Sequence, residues 1–305
     1  MAPIAIFVYK RPLELSWLLH ALGKEALGTV HVFGDGPKSK KDKEGVASAR
    51  KIIEEWAVPT ICHWRTEHAG CHRNITEGVS NVLSLHERVI VLEEDCYPSP
   101  DFLRYAETML EYYARHPHVM HISGANTLLV QPTWLRPKML EGSYSLTPWV
   151  NSHGWATWRH AWKKFRGNFS VQEAGDLFGG KIGLEHASVG EKMSRGKNLA
   201  GDPHWDFEWL CSILAADGLS CIPNCNMVSH MGRASSSQKP LGRLRNLILP
   251  ATDQTELPWE GLGEIVHPKT ASLYVAKKSA DWQGRSMGRL CRQVVSQFGY
   301  HQPSP

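Results

Sequence analysis

The sequence of 305 residues contains no apolar run near the roughly 18 residues that a membrane-spanning helix requires. It also lacks a strong charge of one sign, because 34 Lys and Arg residues oppose 30 Asp and Glu residues and leave a net charge of +4. A balance so close to neutral does not indicate nucleic-acid binding, so no nucleic-acid partner is expected. The composition, 42% hydrophobic and 21% charged, excludes wholesale disorder.

The cysteines do not form the pattern of a disulfide framework, because their number, seven, is odd and they are scattered along the chain. This usage favours a reduced, cytoplasmic protein. Cys221 and Cys225 have no second Cys or His pair at zinc-site spacing, so zinc is not expected there. The apolar segment at residues 1–9 has no basic region before it, which indicates a buried strand rather than a signal peptide.

The first 125 residues alternate between strand-like and helix-like segments. Strand-like segments lie at residues 3–9, 29–33, 58–64, 89–92 and 119–123. Between them, apolar residues recur at helical spacing, as Leu15, Leu18, Leu19 and Leu22 do. The wholly apolar run at 89–92 is typical of a central parallel strand covered on both faces. This alternation predicts an α/β fold with a doubly wound, mostly parallel sheet.

Three polar clusters follow predicted strands: Tyr9-Lys10-Arg11, Asp35-Gly36 and Glu93-Glu94-Asp95. Ligands of doubly wound sheets bind beyond the carboxyl ends of the strands, so the clusters are expected to converge on one edge. Three consecutive acids repel one another unless a cation or hydrogen-bond donors neutralise them. Such an oxygen-rich site suits Mg²⁺ or Mn²⁺ with phosphate oxygens completing the shell. The alternative is that these acids are solvated and paired with Arg or Lys.

The order of these motifs resembles the nucleotide-sugar half of GT-A glycosyltransferases, whose Asp-x-Asp-type motif follows the fourth strand. The segment Gly70-Cys71-His72-Arg73-Asn74 belongs to the same series. The chain is also similar to a bacterial group of family-2-like sugar transferases. That similarity is carried by Ser152-His153-Gly154-Trp155-Ala156-Thr157-Trp158-Arg159, by Trp205-Asp206-Phe207-Glu208-Trp209 and by Asn226-Met227-Val228-Ser229, and it reaches about residue 232.

The resemblance implies a GT-A fold: a Rossmann-like, mostly parallel sheet flanked by helices, with an irregular acceptor-side region and a C-terminal extension. Residues 1–125 would form the nucleotide-sugar-binding half, residues 126–235 the acceptor-binding and catalytic half of the same domain, and residues 236–305 the extension. Within the extension, residues 283–298 combine basic side chains with an apolar stripe. This stretch packs on the domain or a partner, or else makes peripheral contact with an anionic membrane.

The resemblance also implies which residues hold the donor. Asp95 would be the direct metal ligand, with Glu93 and Glu94 facing ribose, sugar or water on the metal. Arg11 and Arg73 would meet the diphosphate, for which a guanidinium is well shaped; the alternative is an ion pair with the acidic triplet.

The base-binding end of the donor site is expected at the first two strand ends. Asp35 and Gly36 would bind the nucleotide base, because a carboxylate can accept a base N–H; the alternative is a turn-forming Asp. Tyr9, at the end of the first strand, completes the donor-binding set.

Inverting transfer requires a carboxylate to take the proton of the attacking hydroxyl. The resemblance assigns this role to Asp206, at the start of a predicted helix, with a helix N-cap as its alternative or additional role. Glu208 is the second candidate, although the family tends to have an amide there. Trp155 and Trp158 are three residues apart and would share a helix face. Trp155 is the expected sugar contact and Trp158 a core residue.

One departure from the family concerns the metal. The family continues after an Asn-Ile-Gly segment with acidic residues and a Thr-His whose imidazole can ligate metal. Here the segment is His230-Met231-Gly232-Arg233-Ala234-Ser235, and that His is missing. His230 is the candidate substitute ligand, and Arg233 is a candidate for neutralising phosphate.

Together these features predict an inverting glycosyltransferase of the hexosyl or N-acetylhexosaminyl class in polysaccharide biosynthesis. It would use Mn²⁺ or Mg²⁺ and a nucleoside-diphosphate sugar, with UDP as the expected nucleotide, and a glycan, lipid-linked or other hydroxyl acceptor. The expected location is the cytoplasm, including the inner face of the membrane. The alternatives are a non-catalytic nucleotide-sugar-binding protein and a nucleotidyltransferase. The latter needs a Gly-rich phosphate loop, which Tyr9-Lys10-Arg11-Pro12 does not provide.

Overall fold

A computed structural model describes residues 1–23, 28–126, 144–183, 186–199 and 204–230. The predicted C-terminal extension, its amphipathic stretch at 283–298 and Arg233 lie outside the described residues. Across the described ranges, no helix is long and apolar enough to cross a membrane.

The described residues contain ten strands and eight α-helices. The strands are β1 (Ile4–Val8), β2 (Val30–Gly34), β3 (Thr60–Trp64), β4 (Arg88–Glu93), β5 (Cys96–Pro98), β6 (Val119–Ser123), β7 (Tyr144–Thr147), β8 (Trp155–Trp158), β9 (Leu219–Pro223) and β10 (Val228–His230). The helices are α1 (Pro12–Leu22), α2 (Lys43–Glu55), α3 (Cys71–Leu85), α4 (Phe102–Tyr112), α5 (Arg159–Trp162), α6 (Val171–Lys181), α7 (Ala187–Leu199) and α8 (Trp205–Ala215).

Eight of the strands form one sheet in the order β3-β2-β1-β4-β8-β6-β9-β7. The pairs β3–β2, β2–β1, β1–β4 and β6–β9 are parallel, whereas β8 and β7 run against their neighbours. Strands β1 and β2 are buried at every residue, as expected for strands covered on both faces. The predicted α/β fold with a mostly parallel sheet flanked by helices is confirmed, and strands from both sides of residue 125 join the same sheet.

The segment around Trp155 and Trp158 forms a strand, so the helix expected there is wrong. Trp155 pairs with Val91 of β4 and with Ser123 of β6 in antiparallel ladders. All four residues of β8 are buried. In a strand buried on both faces, large apolar residues can stand at any spacing, so the three-residue separation of two aromatics carries no helical information.

A second, two-stranded sheet positions residues of the candidate site. Strands β5 and β10 pair antiparallel, and their register places His230 opposite Cys96. Because Cys96 follows Asp95 directly, this ladder brings His230 from the end of the described chain beside the acidic triplet after β4.

Candidate functional site

The charges of four carboxylates from distant parts of the chain act on one thiol. The pKa of Cys71, the first residue of α3, is raised by burial of the thiol and then by the charges of Glu93, Asp206, Asp95 and Asp35, in that order. The residue as a whole keeps an exposed surface. The predicted acids therefore share one edge of the sheet, where parallel strands end.

Glu93 is the most strongly perturbed of these acids. Burial raises its pKa to about 8, and the neighbouring carboxylates of Asp95 and Asp206 add to that rise. Asp206 thus lies within the same electrostatic cluster as the triplet. It is not the N-cap of α8, because that position is His204. Instead Asp206 stands in the first turn, where its Oδ1 accepts the N–H of Phe207 at 2.9 Å.

Asp95 is paired with two cationic or imidazole groups. Its Oδ2 accepts a hydrogen bond from the guanidinium of Arg11 and lies 3.2 Å from Nε2 of His230. Burial alone would raise the pKa of Asp95, but the hydrogen bond and charge of His230 and the charge of Arg11 lower it to about 2. The ring of His153 lies 4.3 Å from that of His230. Arg11 in this state therefore makes the predicted ion pair with the acidic triplet.

The two predicted metal ligands, Asp95 and His230, lie side by side, and carboxylate with imidazole is a donor pair that Mn²⁺ accepts. In the described ranges, no three His, Cys, Asp or Glu side chains form a group that could hold a metal by themselves. Mg²⁺-type sites commonly use one or two protein ligands and leave the rest to water and substrate phosphate. The donor set therefore fits a metal whose shell the substrate completes.

Glu94 holds the loop after β1 rather than facing an open site. It is buried, and its Oε2 accepts the backbone N–H of Tyr9 at 2.6 Å. Burial raises its pKa to about 7, against the opposing effects of the Tyr9 backbone and the Arg11 charge. The contact with ribose, sugar or metal-bound water that the sequence predicts for Glu94 is not its role in this structure.

Asp35 organises two loops. Its Oδ1 accepts N–H groups of Gly36 and Ala69, both at 2.8 Å, and its Oδ2 accepts that of Gly70 at 3.0 Å. Gly36 is required by close approach, because a Cβ there would lie 2.3 Å from the backbone carbon of Glu67. The turn-forming alternative for Asp35 is therefore what the structure shows.

Two further predicted site residues lie away from the carboxylates. Arg73 is exposed and donates from Nε to Glu77 Oε1 at 2.6 Å, so it contacts neither the acidic triplet nor the cluster. Glu208 is only 1% exposed, and its Oε2 lies 2.6 Å from Nε2 of His72. A carboxylate enclosed in this way serves packing between helices, and the base role expected of Glu208 is not supported.

Trp155 belongs to the core. It is fully buried, and its ring lies 5.2 Å from that of Trp205 and 5.3 Å from that of His121. The stacking against a sugar predicted for Trp155 is incompatible with this burial. Trp158 is a core residue, as predicted.

Three residues near the site escaped the sequence analysis: His68, Cys71 and His153. All three stand inside or beside the motifs that carry the resemblance, next to charged residues that were assigned roles. The available signal was position, since His68 lies in the loop between β3 and α3 and Cys71 begins α3, at the carboxyl edge of the sheet.

The chain is similar to several solved structures at low identity. A cytidylyltransferase from Leptospira borgpetersenii is 11% identical with a TM-score of 0.34, over 54% of this chain and 63% of that one. Residues 1–349 of TarS from S. aureus are 13% identical with a TM-score of 0.34, over 64% and 55%. Mouse xyloside xylosyltransferase 1 is 10% identical with a TM-score of 0.34, over 70% and 81%.

The chain thus spans less than two thirds of the first two of these proteins. Similarity at this level does not identify a family or a substrate. No family model matches the sequence, and no curated protein matches it.

Proposed function

We propose that this protein is an inverting glycosyltransferase that uses a nucleoside-diphosphate sugar, with UDP as the nucleotide, and a hydroxyl acceptor on a glycan or lipid carrier. The observation that carries the proposal is that the charges of Glu93, Asp95, Asp206 and Asp35 all act on Cys71, with Arg11 bonded to Asp95. Among these carboxylates the pKa of Glu93 is raised by burial and by its acidic neighbours, and one guanidinium lies on Asp95. Such a cluster is suited to a polyphosphate substrate that arrives with a divalent cation.

Different residues act on the nucleophile and on the leaving group. The acceptor oxygen attacks the anomeric carbon, the bond from that carbon to the diphosphate oxygen breaks, and Asp206 takes the hydroxyl proton. Arg11 neutralises the charge that develops on the departing diphosphate. Asp95 and His230 would hold Mn²⁺ or Mg²⁺, which when bound supplies further charge neutralisation to the same leaving group.

A ligand panel followed by donor turnover tests this function. UDP-, GDP- and CMP-sugars, each with and without Mn²⁺, should include a UDP-sugar that raises the melting temperature by mass action. With that donor, Asp206→Asn should keep donor binding and lower UDP release at least 100-fold. Asp217→Asn is the matched control, because Asp217 lies past the other end of α8 in an exposed pair with Lys181.

Three outcomes would overturn the proposal. No stabilisation by any nucleotide sugar would exclude a nucleotide-sugar enzyme. Full turnover by Asp206→Asn would remove the assigned base. Formation of a nucleotide sugar from a nucleoside triphosphate and a sugar phosphate would identify a nucleotidyltransferase instead.

A further inference from the structure

The carboxylate of Asp35 has no capacity left for a ligand. Its oxygens accept hydrogen bonds from three backbone N–H groups. In addition, Oδ2 lies 2.8 Å from Nδ1 of His68. Each oxygen thus has two donors, and the residue is only 4% exposed. A carboxylate oxygen offers about two lone-pair sites, so all four are used inside the protein.

The same contacts fix the tautomer of His68. Its Nδ1 lies between two acceptors, Asp35 Oδ2 at 2.8 Å and the carbonyl oxygen of Gly36 at 3.1 Å. An atom between two acceptors carries the proton, so in the neutral ring Nε2 is the unprotonated acceptor. Within the described ranges Nε2 has no hydrogen-bond partner, and the side chain is 25% exposed.

An aromatic side chain stands beside this acceptor. The ring of Tyr9 lies 5.3 Å from that of His68 at an angle of 35°. The Tyr9 hydroxyl accepts the backbone N–H of Lys38 at 3.1 Å, which fixes the ring. Tyr9, Gly36 and His68 follow the adjacent strands β1, β2 and β3, and Asp35 connects them to the carboxylate cluster. Nζ of Lys10 lies over the Tyr9 ring, 5.0 Å from its centre. The pair therefore places an aromatic ring with an ammonium over it, and one directional acceptor, next to the site.

We propose that His68 selects the nucleobase, accepting the N3–H of uracil at Nε2 beside the ring of Tyr9. This inference rests on the proposed function and replaces Asp35 as the base-reading residue, with Asp35 acting as the group that orients the imidazole. Cytosine presents an acceptor nitrogen at the equivalent ring position, so two lone pairs would face each other. Sites built around one hydrogen bond discriminate strongly against an analogue that cannot make it.

Calorimetric titration of the full chain with UDP and with CDP tests the inference. His68→Asn places an amide nitrogen near the position of Nδ1, so the bond to Asp35 survives while the Nε2 acceptor is lost. We expect the UDP affinity to fall about tenfold, which corresponds to one lost hydrogen bond, and the preference for UDP over CDP to disappear. His68→Gln, whose amide reaches the Nε2 position, should recover part of the affinity. His118→Asn, at an exposed histidine before β6, is the matched control and should change nothing.

Each result decides something. If the wild-type protein binds UDP and His68→Asn keeps both the affinity and the preference, His68 is not the base-reading residue and the proposed function stands. A wild-type preference for CDP overturns the inference and also the choice of UDP in the proposed function. If the wild-type protein binds neither nucleotide, the proposed function fails and the inference fails with it. Equal melting temperatures of wild type and both variants exclude misfolding as the cause of lost binding.

Discussion

The imidazole Nε2 of His72 lies 2.6 Å from Oε2 of Glu208, and this contact joins the first turn of α3 to α8. The other carboxylate oxygen of Glu208 accepts the backbone N–H of Asn168 at 3.0 Å. Cys71 precedes His72, and Asp206 lies two residues before Glu208. The pair therefore fixes where the proposed base stands relative to the carboxylate cluster.

Removing the Glu208 carboxylate should destabilise the fold. Glu208→Ala leaves His72 and the Asn168 N–H without their buried partner, so the free energy of unfolding should fall by about 3 kcal/mol. Glu208→Gln keeps polar atoms in place and should cost about 1 kcal/mol, with donor turnover preserved. Urea denaturation measures both values, and Glu55→Ala, in an exposed pair with Lys51, is the control. A Glu208→Ala protein as stable as wild type would contradict this assignment.

Stability without ligand should fall as pH rises from about 5 to 8. The pKa of Glu93 is about 8 in the folded state against 4.5 unfolded, and that of Glu94 is about 7. In this range the folded protein binds more protons than the unfolded chain, so raising the pH favours unfolding. Each unit of difference between the two pKa values corresponds to about 1.4 kcal/mol.

The substitution Glu93→Gln isolates this effect. The variant should be more stable than wild type by about 4 kcal/mol at pH 8 and should lose roughly half of the slope between pH 5 and 8, the rest arising from Glu94. Melting temperatures measured at half-unit intervals of pH provide the test. A wild-type curve that is flat or rising over this range would show that Glu93 ionises normally in the folded protein.

The carboxylates around Cys71 should govern its reaction with charged thiol reagents. A cationic trimethylammonium methanethiosulfonate should modify Cys71 at least about tenfold faster than the anionic sulfonate reagent, because the local field concentrates cations. Cys62, also exposed, provides the internal reference by peptide mass mapping. Asp206→Asn should lower the ratio at Cys71 alone. Equal ratios at the two cysteines would place the acids elsewhere.

Trp155 should affect stability and leave the donor site unchanged. Trp155→Ala empties a buried aromatic site and should cost about 4 kcal/mol, whereas Trp155→Phe retains a ring and should cost about 2 kcal/mol. The Phe variant also removes an indole N–H that has no partner in the described residues. Its KM for the donor sugar should stay within twofold of wild type. A large rise in KM without loss of stability would restore a sugar contact.

The local periodicity of the chain predicted most of the elements that support the site. Strands β1, β2, β4, β6 and β9 and helix α8 lie where apolar runs and helical spacing placed them, because these patterns reflect which faces are buried. The strands β7 and β8 were missed. Both segments are only four residues long, too short for the spacing of apolar residues to separate strand from helix.

The site was predicted less completely than the fold. Asp95 and His230 lie together, and Asp206 shares their electrostatic cluster. Arg73 could not be excluded from the sequence, since its outward orientation depends on Glu77 one helical turn away and on the way α3 packs. Similarly, no feature of the local sequence shows which of Asp206 and Glu208 is available as the base.

The sequence by itself determined the alternation of strands and helices and the polar residues that follow each strand, since both depend on neighbours along the chain. Only the tertiary structure decided which polar atoms remain available to a ligand. The carboxylates of Asp35, Glu94 and Glu208 bind donors from segments far away in sequence. By contrast, Nε2 of His68 has no hydrogen-bond partner in the described residues. Polar atoms become occupied by hydrogen bonds between residues that are distant in sequence. Those hydrogen bonds exist only once the sheet has assembled.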